Sequence, residues 1–325
     1  MRNHLKPILA LLLITPVLTE LLSNNMPPQV FFNPVVFLLL TTVVYGFPVL
    51  LLREFACRNR LGISGLLCLG LVYGIINEGI FAKTFYLSEG VPINTFDHYG
   101  YVAGISIPWA ITISVWHSFH ALLCPIVMTY YFFPAHREQR WLTRANVWWL
   151  AVPTVAVNVL VFFSHNQAHA PGQVPHLVLM LVGMGFLMWL ATQASRNGQL
   201  TGDVFFSLKP LAWGVASFLV LLLVPVLLSK GKVAPVLFYG YFAIVFALVA
   251  GWLARRPSIP IMTCLLFMIG NNLMTVLIAM PGALRRAGIL QLLADGLMVI
   301  AFVLLLVRLK HDARIQNETA NGRAA

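Results

Sequence analysis

The sequence predicts an all-α fold, a polytopic membrane helix bundle of about 10 transmembrane helices with both termini in the cytoplasm. The composition gives the first indication, because 59% of the residues are hydrophobic and only 10% are charged, whereas a soluble domain usually carries about 25% charged residues. Apolar runs long enough to cross a hydrocarbon core of about 30 Å recur along the chain. The Lys and Arg residues are concentrated in every second connection between these runs, which indicates the orientation of the chain in the membrane.

Ten apolar runs give the predicted membrane spans. In chain order they cover residues 7–23, 34–52, 61–82, 103–131, 146–164, 174–194, 208–228, 233–253, 259–280 and 288–308. The first run follows Arg2 and Lys6 as a signal peptide would, but no small-residue cleavage site comes after it, so we interpret it as a retained helix. Residues 1–310 are predicted to form a single transmembrane domain, and the polar segment 311–325 a disordered cytoplasmic tail.

The distribution of positive charge predicts which side of the membrane each loop faces. With the N-terminus inside, 16 of the 21 Lys and Arg residues fall on the cytoplasmic side and 5 on the outer side. Because Lys and Arg are retained on the cytoplasmic side during insertion, the sequence indicates a multi-pass protein of the inner (plasma) membrane. The net charge of +11 is spread over loops and tails, which excludes a nucleic-acid interface with one basic face. The predicted partner is the lipid bilayer, and the oligomeric state is open.

Polar side chains inside the spans are the candidate functional residues, because such groups are costly in lipid and usually face a protein interior or a water-filled path. Glu78 in the third span and His117 in the fourth are the predicted catalytic or proton-coupling pair. The residues predicted to contact a substrate or ion are Glu20, Asn77, His120, Asn271, Asn272 and Asp295. Most of these positions fall in the middle or outer half of the membrane, which predicts one shared cavity.

Helical spacing indicates the direction of Glu78. Gly70, Gly74 and Glu78 fall on one side of the third helix, and the glycine pair would let a neighbouring helix approach closely. Glu78 is therefore expected to face the bundle. In the fourth span Pro125 removes a backbone N–H, which predicts a kink beside the two histidines.

Each candidate also has a structural interpretation. Glu78 could be a carboxylate paired with a basic residue or a backbone donor, and the histidines and asparagines could join helices by hydrogen bonds. Glu20 and Asp295 could lie at a hydrated interface or pair with Arg285 or Arg286.

The histidines at the outer end of the fifth span form a weaker motif. His165 and His169 have the i, i+4 spacing of a metal site, but no Glu stands between them. A solvated loop is the better interpretation, and the sequence leaves open whether any metal or other cofactor binds.

An ordered set of short motifs runs through the first part of the chain. In order these are Glu20-Leu21-Leu22, Pro27-Pro28, Tyr45-Gly46, Arg53-Glu54, Tyr73-Gly74, Asn77-Glu78-Gly79, His117, Pro125-Ile126 and Pro134. Between Thr19 and about Leu142 the chain thereby resembles a family of uncharacterised bacterial multi-pass membrane proteins. Asn77 stands where the family pattern has the first Glu of Glu-Glu-Gly, which speaks against a mechanism with two carboxylates. The resemblance implies important positions and no reaction.

A more distant similarity is to the CAAX-type intramembrane proteases, which place a Glu-Glu pair and later His or Asn residues around a metal or an activated water. Glu78, His117 and Asn272 would be the corresponding residues. However, Asn77 removes one Glu, the Arg of that family's Glu-Glu-x-x-x-Arg motif is missing, and no Phe-x-x-x-His matches. Glu78 also falls toward the outer face, so the likeness is an analogy.

Three functions follow from these observations. The first is a proton- or ion-coupled transporter of a small molecule or ion, with Glu78 as the coupling carboxylate and His117 as a relay or substrate contact. The second is an intramembrane hydrolase or protease-like enzyme, with Glu78 as general base and His117 as a metal or water ligand. The third is a membrane scaffold or assembly protein without chemistry of its own. The ten spans and short loops favour the transporter.

Overall fold

The computed structural model describes residues 4–88, 96–164, 173–194, 197–203 and 206–322. These ranges are almost entirely helical, which confirms the predicted all-α polytopic bundle. They contain nine helices that are long and apolar enough to cross a membrane: Pro34–Arg58, Ile63–Phe81, Ile107–Phe132, Arg144–Phe163, Val174–Gln193, Leu208–Lys230, Pro235–Ala254, Ile261–Gly282 and Gly288–Gln316.

The first predicted span is also a helix. It comprises Leu5–Pro16 and continues directly into the π-helical turn Val17–Leu21, so its length is near the lower limit for crossing a bilayer. We count it as the first helix and the nine spans as the second to tenth. Each predicted span therefore corresponds to one helix, and the largest differences are the later ends of the second and tenth helices.

The remaining elements are short. The helical ones are the α-helix Pro28–Phe31 and the 3₁₀ turns Thr84–Tyr86 and Pro134–His136. Strands Tyr101–Val102 and Ile105–Ser106 form an antiparallel hairpin, and strands Gln199–Thr201 and Ser258–Pro260 pair in parallel. These short elements lie between the ends of the long helices.

The last helix continues beyond the end of its predicted span. Helical structure extends to Gly322, where the sequence predicted a disordered segment 311–325. Two contacts of the described residues accompany this extension: the Tyr131 hydroxyl donates to Asp312 at 2.5 Å, and Arg314 pairs with Glu318 at 2.7 Å. An i, i+4 pair of this kind favours helix.

The helices differ strongly in burial. In the fourth helix 72% of the most apolar window is buried, and in the third and ninth 61% and 67%, but only 11% in the sixth. We call the first to fourth and the ninth helices the core helices, and the fifth to eighth and the tenth the peripheral helices. The peripheral helices expose large apolar side chains over most of their length, as helices in contact with lipid do.

Close glycine contacts join the core helices, as the sequence predicted for the third. A Cβ atom added at Gly70 would lie 2.3 Å from the Ser118 hydroxyl, and one at Gly74 would lie 2.5 Å from the Cα of Ser114. The neighbour that approaches this pair is therefore the fourth helix. Gly70 and Gly74 precede Glu78 on the same face of the third helix. The close contact at the two glycines therefore also places Glu78 against the fourth helix.

Within the described ranges, five helices contain a π-helical segment, in which each hydrogen bond reaches one residue further back than in an α-helix. The segments are Val17–Leu21, Leu40–Val44, Ile75–Phe81, Ser118–Leu123 and Leu219–Leu223. Those of the fourth and seventh helices end two residues before Pro125 and Pro225. A proline has no N–H to donate to the carbonyl four residues earlier in the helix. The carbonyl left without this donor accounts for the wider helical turn just before each proline. In the fourth helix this π segment stands where the sequence predicted a kink.

Candidate functional site

The central pair of the site is Glu78 with His117. Oε1 of Glu78 lies 2.9 Å from Nε2 of His117. The His117 side chain is only 3% exposed and that of Glu78 13% exposed. The Glu78 side chain therefore leaves the π segment of the third helix toward the fourth helix, as the glycine spacing predicted.

The second carboxylate oxygen of Glu78 is held from the loop that follows the third helix. The Thr84 hydroxyl donates to Oε2 of Glu78, and the indole Nε1 of Trp109 donates to Thr84 Oγ1 at 2.9 Å. Glu78 thus has a hydrogen-bond partner on each oxygen, and the two partners come from different elements.

Lys83 fixes this loop to the end of the fifth helix. Its backbone is left-handed, with φ 59°, and its ammonium group donates to the Ser164 carbonyl at 2.5 Å. Burial lowers the pKa of Lys83, while the carbonyl groups at a helix C-terminus attract a positive charge. Lys83 consequently places Thr84 beside Glu78.

Glu20 of the first helix approaches the same site. The Tyr45 hydroxyl donates to Oε1 of Glu20, and Asn25 Nδ2 donates to Oε2 at 2.6 Å. The Tyr45 ring lies 6.3 Å from the His117 ring between centroids. Glu20 is therefore linked to the surroundings of His117 through Tyr45, whereas Glu78 contacts His117 directly.

Asn77 supports the site indirectly. Its amide donates to the Tyr73 hydroxyl at 3.0 Å, and that hydroxyl donates to the Val44 carbonyl at 3.0 Å. The Tyr73 ring packs edge-on against His117, with centroids 5.5 Å apart. Asn77 therefore orients Tyr73, which in turn orients His117.

Sequence reasoning did not select Tyr45 and Tyr73 as site residues. A signal was present, because both tyrosines belong to the Tyr-Gly motifs of the ordered set. Their rings leave Nδ1 of His117 buried and without a hydrogen-bond partner among the described residues. This nitrogen can accept or donate a proton without breaking the contact with Glu78.

His120 belongs to a second cluster. Its ring stacks on Trp116 with centroids 3.7 Å apart, its Nδ1 lies 3.1 Å from the Trp116 carbonyl, and its Nε2 lies 3.3 Å from the Thr275 hydroxyl. Asn271 of the ninth helix lies beside it and donates to Ser217 of the seventh helix at 3.0 Å.

Asn272 completes this second cluster. Its amide donates to the Met268 carbonyl at 2.7 Å and to the Cys124 sulfur at 3.4 Å. The amide oxygens of Asn271 and Asn272 are both buried without a partner among the described residues. The second cluster therefore joins the fourth, seventh and ninth helices and retains two unused acceptors.

Asp295 lies in a third cluster and is fully buried. Gln291 donates to its Oδ1 at 3.1 Å, and Asn24 donates to its Oδ2 at 3.3 Å. Asn24 is adjacent to Asn25, which holds Glu20, so the turn after the first helix connects this cluster with the central one. The predicted residues thus occupy three neighbouring clusters within the bundle.

Some residues considered in the sequence analysis lie outside the part of the chain that the structure describes. This applies to His165 and His169, and to the side chains of Arg285 and Arg286. In the part of the chain that is described, no group of three or more His, Cys, Asp or Glu residues is placed to hold a metal ion. Glu78 and His117 together offer two ligand side chains.

A buried charged network occupies the opposite end of the bundle, where the first helix begins. Arg53 is fully buried and donates to the carbonyls of His136 and Arg137 at 3.2 and 3.0 Å. Its guanidinium carbon lies 3.6 Å from the centroid of the Trp141 ring. Glu54 accepts the backbone N–H of Trp141 at 3.0 Å. The Arg53-Glu54 pair therefore fixes the loop after the fourth helix to the second helix.

Sequence reasoning missed this network because the predicted second span ended at residue 52, which assigned both residues to a loop. The helix continues to Arg58. The presence of Arg53-Glu54 in the ordered motifs was the available signal.

Fold and site together define an α-helical multi-pass membrane protein whose core helices enclose a buried Glu–His pair. A profile of an uncharacterized membrane protein family matches residues 9–317. The chain belongs to this family, and the predicted resemblance is confirmed over more of the chain than the segment that indicated it. The comparisons with curated proteins and with solved structures gave no match.

Proposed function

We propose that the protein is a proton- or ion-coupled transporter of a small solute, and that Glu78 and His117 carry the coupling proton. The observation that carries this proposal is the contact of 2.9 Å between Glu78 Oε1 and His117 Nε2 inside the membrane-spanning region. A proton held between a carboxylate and an imidazole can move from one to the other without entering lipid, and histidine commonly serves as a proton shuttle.

The π segments supply a reason to expect movement at this site. Glu20 and Glu78 lie within such segments, Tyr45 follows one, and His117 directly precedes one. Single π turns inside α-helices occur often at functional sites. Their altered hydrogen bonding lets the two halves of a helix reorient, which is the change that alternating access requires.

The fourth helix offers a polar route away from the pair. Beyond His117 its buried polar side chains include Ser118, His120 and Thr129. Toward the other end of the helix, Trp109 belongs to an aromatic cluster with Phe96 and Phe238. In the proposed transporter this aromatic cluster would close one end of the site.

The remaining candidates have supporting roles in this proposal. Glu20 would stabilise the protonated His117, and Asn77 would orient it through Tyr73. The unused amide oxygens of Asn271 and Asn272, together with His120, would contact the solute. Asp295 would hold the turn that carries Asn25.

For the orientation, we propose an inner-membrane location with both termini cytoplasmic and one transmembrane domain over residues 1–310. The placement of 16 of 21 Lys and Arg residues on one side supports this, by the positive-inside rule.

The test is proton flux in proteoliposomes under an imposed membrane potential, with and without a mixture of small solutes. We expect Glu78→Gln and His117→Asn to reduce the flux to that of protein-free vesicles. Glu318→Gln and His311→Asn, which alter exposed side chains, are the matched controls and should retain the flux. Equal flux in wild type and in the Glu78 and His117 variants would contradict the proposal.

An intramembrane hydrolase is the second candidate, and the buried His117 Nδ1 without a partner favours it. With Glu78 orienting the imidazole, this nitrogen could take a proton from a water that attacks a substrate carbonyl. Metal content of the purified protein separates a metal-dependent version. Near-stoichiometric zinc in wild type, lost in Glu78→Gln and His117→Ala with the fold retained, would support the enzyme over the transporter.

A further inference from the structure

A cavity lined by arginines lies at the end of the bundle where the first helix begins. Its volume is about 880 Å³, and the lining includes Arg58, Arg60, Arg137 and Arg140. Glu78 lies 15 residues along the third helix from Ile63, which borders this end, so the two sites are about 22 Å apart along the helix axis. This cavity is therefore separate from the Glu78–His117 pair.

The charge of the lining is strongly positive. Among the described residues that line the cavity, Glu138 is the one carboxylate, and its side chain is 85% exposed. Arg58 is already paired with Glu54 at 2.9 Å. Arg60, Arg137 and Arg140 contribute positive charge that this single exposed carboxylate does not balance.

Arg137 has an unused donor at this site. Its contact with Glu138 is 3.8 Å long, which exceeds a hydrogen bond. Its Nε is buried and has no hydrogen-bond partner among the described residues. A buried N–H of a charged group is costly without an acceptor, so this atom indicates a ligand that accepts hydrogen bonds.

The loop that carries Arg137 and Arg140 is held rigidly. The buried Arg53 binds the carbonyls of His136 and Arg137, and Glu54 binds the backbone N–H of Trp141. A fixed backbone lowers the entropy lost when the arginine side chains close on an anion. The Arg53-Glu54 pair thus gives the cavity a preorganised wall.

We propose that this cavity binds a phosphate group, carried either by an anionic phospholipid headgroup or by a soluble phosphate compound. Planar guanidinium groups match tetrahedral phosphate oxygens through paired hydrogen bonds. The cavity is large enough for a ligand bigger than the anion itself. It also lies where the second and fourth helices end and the third begins, as a site for a lipid headgroup would.

The experiment measures dissociation constants of the full-length protein in mild detergent for two probes, short-chain phosphatidylglycerol and inorganic phosphate. We expect Arg137→Gln and Arg140→Gln each to weaken binding about tenfold, since each removes a charge-assisted hydrogen bond. The control is Arg255→Gln combined with Arg256→Gln, which removes exposed charge from the same end of the bundle and should leave binding within about twofold.

The two probes identify the source of the phosphate. Binding of phosphatidylglycerol alone would assign a lipid headgroup, and binding of both probes, or of phosphate alone, would assign a soluble phosphate group. No binding of either probe, or an equal loss in the control, would overturn the proposal, because general charge attraction would then suffice.

Arg137→Lys keeps the charge and removes the Nε donor. We expect this variant to bind several-fold more weakly than wild type, because Lys cannot form the paired contact. It also tests the site if Arg137→Gln fails to fold, as judged by size-exclusion chromatography. Wild-type affinity in Arg137→Lys would contradict the assigned role of Nε.

Discussion

The fourth and the sixth helices are both apolar enough to span a membrane, yet 72% of the fourth is buried and 11% of the sixth. The fourth carries His117 and His120 together with buried hydroxyl groups, whereas the two buried residues of the sixth are Met180 and Ala191. The comparison teaches that hydropathy identifies a span, while polar and small residues decide which spans form the interior.

The peripheral helices hold a few buried polar residues, and these support the same distinction. In the fifth helix Thr154 donates to the carbonyl of Leu150, and Asn158 to that of Thr154, so both bonds stay within one helix. Core helices also contain such bonds, but their Glu78–His117 contact joins two helices. The core helices therefore carry the central pair of the candidate site.

The largest predicted effect comes from adding a side chain at a core glycine. A Cβ at Gly270 would lie 2.1 Å from the Leu211 backbone carbonyl oxygen, so Gly270→Leu must separate the seventh and ninth helices. We expect a loss of about 4 kcal/mol or more, seen as loss of monodisperse protein. Gly240→Leu in the eighth helix, with nothing within 4 Å, is the control. Equal yields of the two variants would contradict the close packing of the ninth helix against the seventh.

The next effect concerns the buried charges. Removal of Glu54, whose side chain is 2% exposed beside Arg53 and Arg58, leaves buried positive charge uncompensated. We expect Glu54→Ala to cost about 3–5 kcal/mol, measured as a lower thermal unfolding midpoint in detergent. Glu138→Ala, at a side chain 85% exposed, should leave the midpoint unchanged. A similar decrease in both variants would indicate that the network has no special role.

A smaller effect is expected from truncating one leucine in each class of helix. Leu265 in the ninth helix is fully buried, while Leu248 in the eighth is 69% exposed. In lipid the truncated chain loses packing but little transfer free energy, so Leu265→Ala should cost about 1–3 kcal/mol. Leu248→Ala should cost about 0.5 kcal/mol or less. Unfolding midpoints of the two variants compare these costs, and equal values would refute the assignment of lipid-facing positions.

The smallest predicted effect is a pH dependence at the junction of core and peripheral helices. Tyr86 lies between the third and sixth helices and contacts His176 with centroids 5.1 Å apart, and burial raises the pKa of Tyr86 well above its ordinary 10.0. Above pH 10.0 the phenol of Tyr86 loses its proton in the unfolded chain but keeps it in the folded protein. The stability that Tyr86 contributes is therefore present below pH 10.0 and is lost as the pH rises through the higher pKa of the folded state.

Tyr86→Phe removes this ionisation and should unfold at a similar temperature to wild type near pH 8 but less readily than wild type near pH 11. Thermal unfolding of both proteins across this range measures the difference. A constant difference at all pH values would mean that Tyr86 is exposed to water in the folded protein.

Much of the fold could be predicted from sequence because span length and hydrophobicity are local properties. The glycine pair of the third helix also predicted close packing, and the structure shows that its neighbour is the fourth helix. The end of the second helix could not be placed, because Arg53 and Glu54 meet the carbonyls of His136 and Arg137 and the N–H of Trp141 only in the folded bundle.

The arrangement of the candidate site was less accessible. Glu78 and His117 are 39 residues apart, so no spacing rule brings them together. His117 and His120 were expected in one cavity, but the π segment Ser118–Leu123 changes the angle between them, and their side chains reach different clusters. A regular 100° per residue cannot anticipate such a turn.

The most direct test of the central claim, that Glu78 and His117 share an exchangeable proton within the membrane, is infrared difference spectroscopy of the protein in lipid as the pH is changed. Wild type is compared with Glu78→Gln and His117→Asn. The account predicts a carboxylic-acid band that appears on acidification, is absent from Glu78→Gln, and moves in His117→Asn because the hydrogen bond of 2.9 Å is lost. A wild-type spectrum that Glu78→Gln leaves unchanged would contradict it.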